Sequence, residues 1–254
     1  MKKLILILSV IPSLVIGQGI KSLDPTLGWV VEKSLQGEIE QMKHLEMCEE
    51  FWKNKEGSFS REDLPENEKA MFDSCAADLP EYWSINGIGC SWYCGGGQDS
   101  LSASSELSAQ NNIQYSASNA HDLSYKTAWI EGVKGYGIGE YLIYHVQPTN
   151  PRITEIIIVN GYVKSDKVWK ENSRVKRLKL YIDGKLYAIL NLQDTKAEQH
   201  FKIEPIGVSD RKDYEAMKKM PIWTIKFEIL EVYHGDKYDD TAITEIYFDG
   251  IDVH

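Results

Sequence analysis

The residues best placed to do chemistry lie between Asn119 and Glu140, NAHDLSYKTAWIEGVKGYGIGE. Asp122 and Thr127 stand five residues apart, Trp129 follows, and Gly132, Gly135, Gly137 and Gly139 punctuate the run to Glu140. Glycine is used where backbone takes positive φ or approaches another group closely, so this stretch reads as a shaped surface loop. Glu131 and Glu140 are the carboxylates an acid–base pair would need. Nothing in their spacing, or that of the other acids, ties two of them to one bond. G-x-S-x-G, H-E-x-x-H and a phosphate-cradling loop are absent. GYGIGE lacks the following helix that a nucleotide loop requires. The six histidines form no ligand spacing. An enzyme is not the reading these residues support; a binding loop is.

Composition narrows what such a loop meets. The chain has 254 residues, enough for one large β domain or one domain with a smaller appendage. MKKLILILSVIPSLVIG carries Lys2 and Lys3, an apolar run from Leu4 and small or medium residues near Gly17. It reads as a secretory signal peptide, residues 1–17, and implies a secreted or periplasmic protein. No later apolar run approaches the ~18 residues of a membrane helix, so no membrane span is expected. Removing two lysines leaves 26 basic against 38 acidic residues, a mature charge of −12 against −10 for the whole chain. That balance argues against nucleic acid, whose binding relies on Lys and Arg at phosphates. Cys48, Cys75, Cys90 and Cys94 all precede residue 95, and an even count in an exported chain suggests disulfides. Of three pairings, the one favoured joins Cys90 to Cys94 as a local loop and Cys48 to Cys75 as a staple between helices. The rival is a zinc site, for which C-x3-C occurs once and only His44 is nearby.

The elements that position these residues change character along the chain. From Leu27 to Trp52, Ile39, Met42, Leu45 and Cys48 recur at three- and four-residue intervals, which predicts a helix with an inward face. A second helix starts at Ser60 as cap, takes Pro65 in its first turn and runs to about Cys75. EYWSINGIGCSWYCGGG follows, and Gly95–Gly97 with Gln98–Asp99–Ser100 reads as a linker. The boundary falls there: residues 18–97 form a helical, disulfide-linked extension, and residues 98–254 a β domain. Strands are predicted at 141–147, 153–160, 175–182, 185–192, 200–206, 223–232 and 242–248. Asp183-Gly184 between two of them is a strong hairpin signal. Leu186, Ala188, Leu190 and Leu192 share one face, as do Trp223, Ile225, Phe227 and Ile229. Residues 160–174 read as a long polar loop, and residues 209–219 as a helical insertion or a mobile loop. Short strands without a βαβ rhythm predict a mainly β protein, an antiparallel sandwich.

Four blocks carry a resemblance: TAWIEGVKGYGIGE (127–140), IVNGYVKSDKVWKENSRVKRLKLYIDG (158–184), FEILEVYHGDKYDDTAITEIYFDG (227–250), and SASSEL with SNAHD ahead of them. Together they resemble the discoidin-like domain (coagulation factor V/VIII type C) found as the glycan-binding translocation domain of streptococcal NAD glycohydrolase toxins. The CSWYCGG segment often precedes that domain. The toxin's catalytic domain has no counterpart in these blocks, so NAD cleavage is not expected.

The resemblance implies a jelly-roll, discoidin-like β-sandwich that binds carbohydrate through loops at one end. It implies a secreted, non-enzymatic glycan-binding module, the alternative being a protein-interaction or translocation adaptor. Many such domains hold a structural calcium, and the corresponding residues here are Asp122, Thr127 with Trp129 close behind, and Glu245 of AITEIYF. The Asp-Gly usual at that loop is Asp122-Leu123. The alternative is that Asp122 caps a turn, Thr127 pairs in a strand and Glu245 faces solvent. Carbohydrate sites combine an aromatic platform with a few planar polar groups. On loops those are Tyr136, Tyr162, Trp169, Asn172, Arg174 and Tyr238, with Trp169 expected to be the most exposed and Trp129 in the core. Arg174 is expected to pair with Asp239 or Asp240.

Overall fold

The computed structural model describes residues 20–53, 55, 60–77, 79–85 and 92–252. The predicted signal peptide, and Cys90 with its predicted bridge to Cys94, lie outside those residues.

Alternating apolar side chains produce the two layers of the sandwich. One layer is built on β5 (Tyr141–Val146), β7 (Ser173–Ile182), β8 (Lys185–Asn191) and β10 (Trp223–Tyr233), with β3 (Gln98–Ala103) at its edge. The other is built on β6 (Ile153–Asn160), β9 (Ala197–Ile206) and β11 (Thr241–Gly250), with the short β4 (Trp129–Ile130) paired to β11. Within the layers these pairings are antiparallel. Among the described residues, the strands of the two layers pair only where β11 runs parallel to β7 over Thr241↔Ser173 and Ala242↔Arg174. The fold is mainly β, an antiparallel sandwich, as expected. Trp223, Ile225, Phe227 and Ile229 are all buried, and so is Trp129; on β8 Ala188, Leu190 and the following Leu192 are buried while Leu186 is exposed at the hairpin end. Asp183 and Gly184 both take positive φ, 47° and 71°. That is the type I′ geometry a two-residue hairpin needs.

The first residues depart from expectation. Leu27–Val30, read as the start of a helix, belong to β2 (Thr26–Val30), and Lys21–Leu23 form β1. Strand β1 runs parallel to β8, and β2 antiparallel to β9. One short segment therefore covers an edge of each layer, on either side of Asp24-Pro25. Covering edges removes unpaired backbone groups that would otherwise recruit foreign strands. Trp92, which the sequence places in the extension, is fully buried in the sandwich core. Its indole N–H donates to the Pro151 carbonyl at 2.7 Å, and its ring meets Phe248 edge-on. A Cβ on Gly250 would lie 2.7 Å from that indole, so glycine makes room for it.

The rest of the extension is helical. Helices α1 (Leu35–Lys53) and α2 (Glu66–Cys75) are joined by the Cys48–Cys75 disulfide, as predicted. The inward stripe predicted for α1 is not buried. Cys48 is, but Ile39, Met42 and Leu45 stay 45–56% exposed. Contact with the sandwich comes instead from Val31, Trp83 and Ile85, which pack with Tyr125, Ile157, Val159, Val163 and Tyr247 in a second core on the outer face of β6 and β11. The 83–85 segment also makes backbone bonds: Ile85 N–H to Leu123 O at 3.0 Å, and Tyr125 N–H to Trp83 O at 2.9 Å. Two further short helices interrupt the loops: α3 (Asp166–Glu171), inside the predicted polar loop, and α4 (Tyr214–Met217), inside the charged insertion.

Candidate functional site

Asp122, Thr127 and Glu245, separated by as many as 123 residues in sequence, come together where the 119–127 loop crosses β11. The Thr127 hydroxyl donates to Asp122 Oδ2 at 2.6 Å. The Ser124 N–H lies 3.1 Å from Asp122 Oδ1 and 3.2 Å from Glu245 Oε2, so the two carboxylates share one donor. Glu245 is fully buried, and its Oε1 has no hydrogen-bond partner. Burial, and then the charge of Asp122, push the Glu245 carboxyl well above the usual range. Burial also raises Asp122, against the bonds from Thr127 and Ser124. Two adjoining carboxylates, one with an oxygen unsatisfied, and a hydroxyl alongside favour a proton or a cation between them. This donor set, with an oxygen left orphaned inside the fold, fits a hard cation such as calcium. Leu123 takes φ +59°, a left-handed conformation that suits the glycine usual at that position.

A cavity of about 370 Å³ opens at the loop end of the sandwich, lined by residues from five separate segments. It gathers three of the six predicted ligand residues. Tyr162 follows β6, is almost fully buried, and donates its hydroxyl to the Lys126 carbonyl at 3.3 Å. Burial raises its phenol to about 12. Asn172 caps the C-terminus of α3, and its amide donates to Val168 O at 2.8 Å. Tyr238 is the exposed member, held by its backbone N–H to Glu171 O at 2.8 Å.

The other three serve differently. Trp169, expected to be the most exposed, is half-buried: its indole donates to Asn160 O at 3.0 Å, and its ring carries the Arg174 guanidinium at 4.5 Å. It packs over Gly161, where a Cβ would sit 2.8 Å from the indole and φ is +78°. Arg174 is buried and pairs with Asp194, at 2.7 and 3.1 Å, not with Asp239 or Asp240. The guanidinium also donates to the carbonyls of Asn172, Trp169 and His234. A planar fork spent on one carboxylate and three carbonyls staples the loop that carries Asn172. Tyr136 stacks on His234, with centroids 4.2 Å apart and planes 9° off parallel, and does not line the cavity. Glu131 and Glu140, the acids of the opening loop, are also occupied. Glu131 accepts the Thr241 and Val133 amides, and Glu140 the Ser104 hydroxyl.

Several cavity residues escaped the sequence reading. Leu107, Ile113, Ile130 and Val168 form its apolar wall, Tyr115 its third tyrosine, and Leu35 of α1 one rim. Tyr115 meets Tyr162 edge-on at 6.4 Å. The signal for this wall was Asn111-Asn112, which take φ of 50° and 64° between the mutually bonded Gln110 and Ile113. Asparagine tolerates that conformation, so the dipeptide marks a tight hairpin that turns Ile113 and Tyr115 inward.

Residues 92–249 match the model of a family described as the NAD glycohydrolase translocation F5/8 type C domain. No curated protein matches the chain. Among solved structures, the tandem CBM32 domains of ZmpB from Clostridium perfringens are 16% identical with a TM-score of 0.42, and the match covers 61% of this chain and 34% of that one. The CpGH89CBM32-5 module of the same organism, solved with GalNAc-β-1,3-galactose, is 15% identical with a TM-score of 0.41, covering 59% of this chain and 94% of that one. The arabinofuranosyltransferase AftD from Mycobacteria is 15% identical with a TM-score of 0.41 and is covered over 11% of its length. No helix among the described residues is long and apolar enough to cross a membrane.

Proposed function

This chain belongs to the NAD glycohydrolase translocation F5/8 type C domain family, and from that premise we propose that it is a secreted, non-enzymatic glycan-binding module. The observation that carries the reading is the cavity at the loop end. It combines an apolar wall, three tyrosines and planar amides from Asn172 and Gln110, the mixture that a sugar's apolar face and its hydroxyls require. Asp122, Thr127 and Glu245 would hold a structural calcium, whose charge would neutralise the two carboxylates. Such an ion would fix the 119–127 loop against β11 and keep Lys126, whose carbonyl anchors Tyr162, in position.

A glycan array on the purified protein, with calcium and with chelator, tests this. Binding that is lost in Tyr162→Ala and Tyr238→Ala supports the reading; no binding in either condition sinks it. The adaptor reading has an observation of its own, the exposed Ile39, Met42 and Leu45 on α1. It predicts a stoichiometric protein partner retained in the presence of free sugars.

A further inference from the structure

The cavity holds one carboxylate that nothing answers. Asp240 lines it, is half-buried, and its side chain accepts no hydrogen bond and forms no ion pair among the described residues. Glu171, the other lining carboxylate, faces Lys237 at 3.9 Å and Lys167 at 4.0 Å. Lys164, the lining cation, makes no hydrogen bond or ion pair with Asp240 among the described residues. Three tyrosines complete the surroundings, two of them edge-to-face, and aromatic faces attract cations within ~6 Å of the ring centre. A partly desolvated carboxylate beside aromatic rings is a site for a positive group, and a neutral ligand would leave its charge uncompensated. Resting on the glycan-binding reading above, we propose that this cavity takes an amino sugar with a free ammonium group, which Asp240 pairs and Tyr115, Tyr162 and Tyr238 surround. Gln110 and Asn172 carry amides for the ring hydroxyls, and the apolar wall meets the sugar's C–H face. The volume of about 370 Å³ falls in the range of small-molecule sites and suits one or two sugar units.

The test compares sugars that differ only in that charge: glucosamine with N-acetylglucosamine, and galactosamine with N-acetylgalactosamine, titrated against the amide NMR spectrum of the full protein. The free amines are expected to bind about tenfold tighter or more, the scale of one charge-assisted hydrogen bond, with shifts at Tyr115, Tyr162 and Asp240. Asp240→Asn should erase the preference while the spectrum stays folded. Glu204→Gln removes the same charge from an exposed position on β9 and should preserve it, which separates a site from general attraction to an acidic protein. Tyr238→Leu, at an exposed position, should weaken amine binding independently of Asp240. Equal binding of both members of each pair overturns this inference and leaves the glycan-binding reading standing. The inference falls in the same way if the preference survives in Asp240→Asn, or if shifts fall away from the cavity. No binding of any sugar, on the array or in titration, overturns both.

Discussion

Chelation should destabilise this protein by an amount that depends on pH in a direction set by Glu245. Its carboxyl is fully buried, one oxygen is orphaned, and Asp122 lies beside it, so without a cation it holds its proton above the usual range. A folded-state pKa above the unfolded value of about 4.3 means that the folded chain binds more protons. The stability this contributes is complete below the unfolded pKa and drains away as pH rises through the folded one. Ion-free protein should therefore lose stability from pH 5 to pH 8 at this site. Calcium reverses the sign, because the ion holds both carboxylates charged and acid displaces it. At a free concentration one hundred times its Kd, the ion adds about 2.7 kcal/mol by mass action. For a domain of this size that raises Tm by about 5–11 °C. Glu245→Gln keeps the shape and removes the charge. At pH 8 its ion-free Tm should equal or exceed that of the parent, since leaving a buried polar group unsatisfied costs about 1–3 kcal/mol, more when it is charged. Its calcium increment should vanish. Calorimetric melts of both proteins at pH 5 and pH 8, in chelator and in calcium, read all of these quantities, and the difference between the proteins isolates the one carboxyl. Identical parent melts in chelator and calcium at pH 8 would refute the ion site. A Gln variant that is less stable than the ion-free parent at pH 8 would refute the electrostatic reasoning.

Three other variants probe the scaffold. Leu123→Gly should leave stability within about 1 kcal/mol of the parent by urea denaturation, because relief of a left-handed leucine, about 1–2 kcal/mol, is offset by unfolded-state entropy and by loss of a side chain packed on the second core. Trp92→Ala should cost about 3–5 kcal/mol in the same assay, removing a fully buried indole together with the donor to Pro151. Cys48→Ser with Cys75→Ser should raise hydrogen exchange and protease cleavage across residues 35–75. The 27-residue separation gives about 3–4 kcal/mol of closure entropy, and the sandwich melt should move by far less than that.

Strands β5, β9 and β10 were legible because burial on one face imposes period two, whereas β6 and β11, covered on both faces, are legible as nearly continuous apolar runs. Elements set by distant partners were not. Residues 21–30 become strands only because the edges of β8 and β9, some 170 residues on, wait for them. The local sequence there also fits a helix, and nothing in it names the partner. Helix α3 is six residues long, too short to show a period, and its one local mark is the Ser165 cap. Spacing around Asp122 and Thr127 put two donors in one loop, while the arrival of Glu245 depends on the register of β11. Arg174 illustrates the limit of pairing charges by loop assignment, since its partner Asp194 is nearer along the chain than either aspartate expected. Asp239 and Asp240 are close in the candidate loop, but the guanidinium turns to Asp194, and that choice leaves Asp240 open in the cavity.

The extension is better understood as part of the site than as an appendage to it. Its 83–85 segment bonds to the backbone of residues 123–125, the turn between the two carboxylates, and Trp83 with Ile85 shares a core with Tyr125 and Tyr247. Glu38 of α1 pairs with Lys126 at 2.6 Å, and the Lys126 carbonyl receives the Tyr162 hydroxyl at the cavity. Leu35, at the start of the same helix, reaches the cavity rim. A continuous path of packed and bonded groups therefore runs from α1 through the 122–127 loop to the tyrosines. The loop that carries Asp122 anchors Tyr162 of the cavity through the Lys126 carbonyl and seats the extension through residues 123 and 125. The seat of the extension, the paired carboxylates and the anchor of Tyr162 thus fall on the same short run of backbone, which gives the Asn119–Glu140 stretch its place at the centre of the molecule.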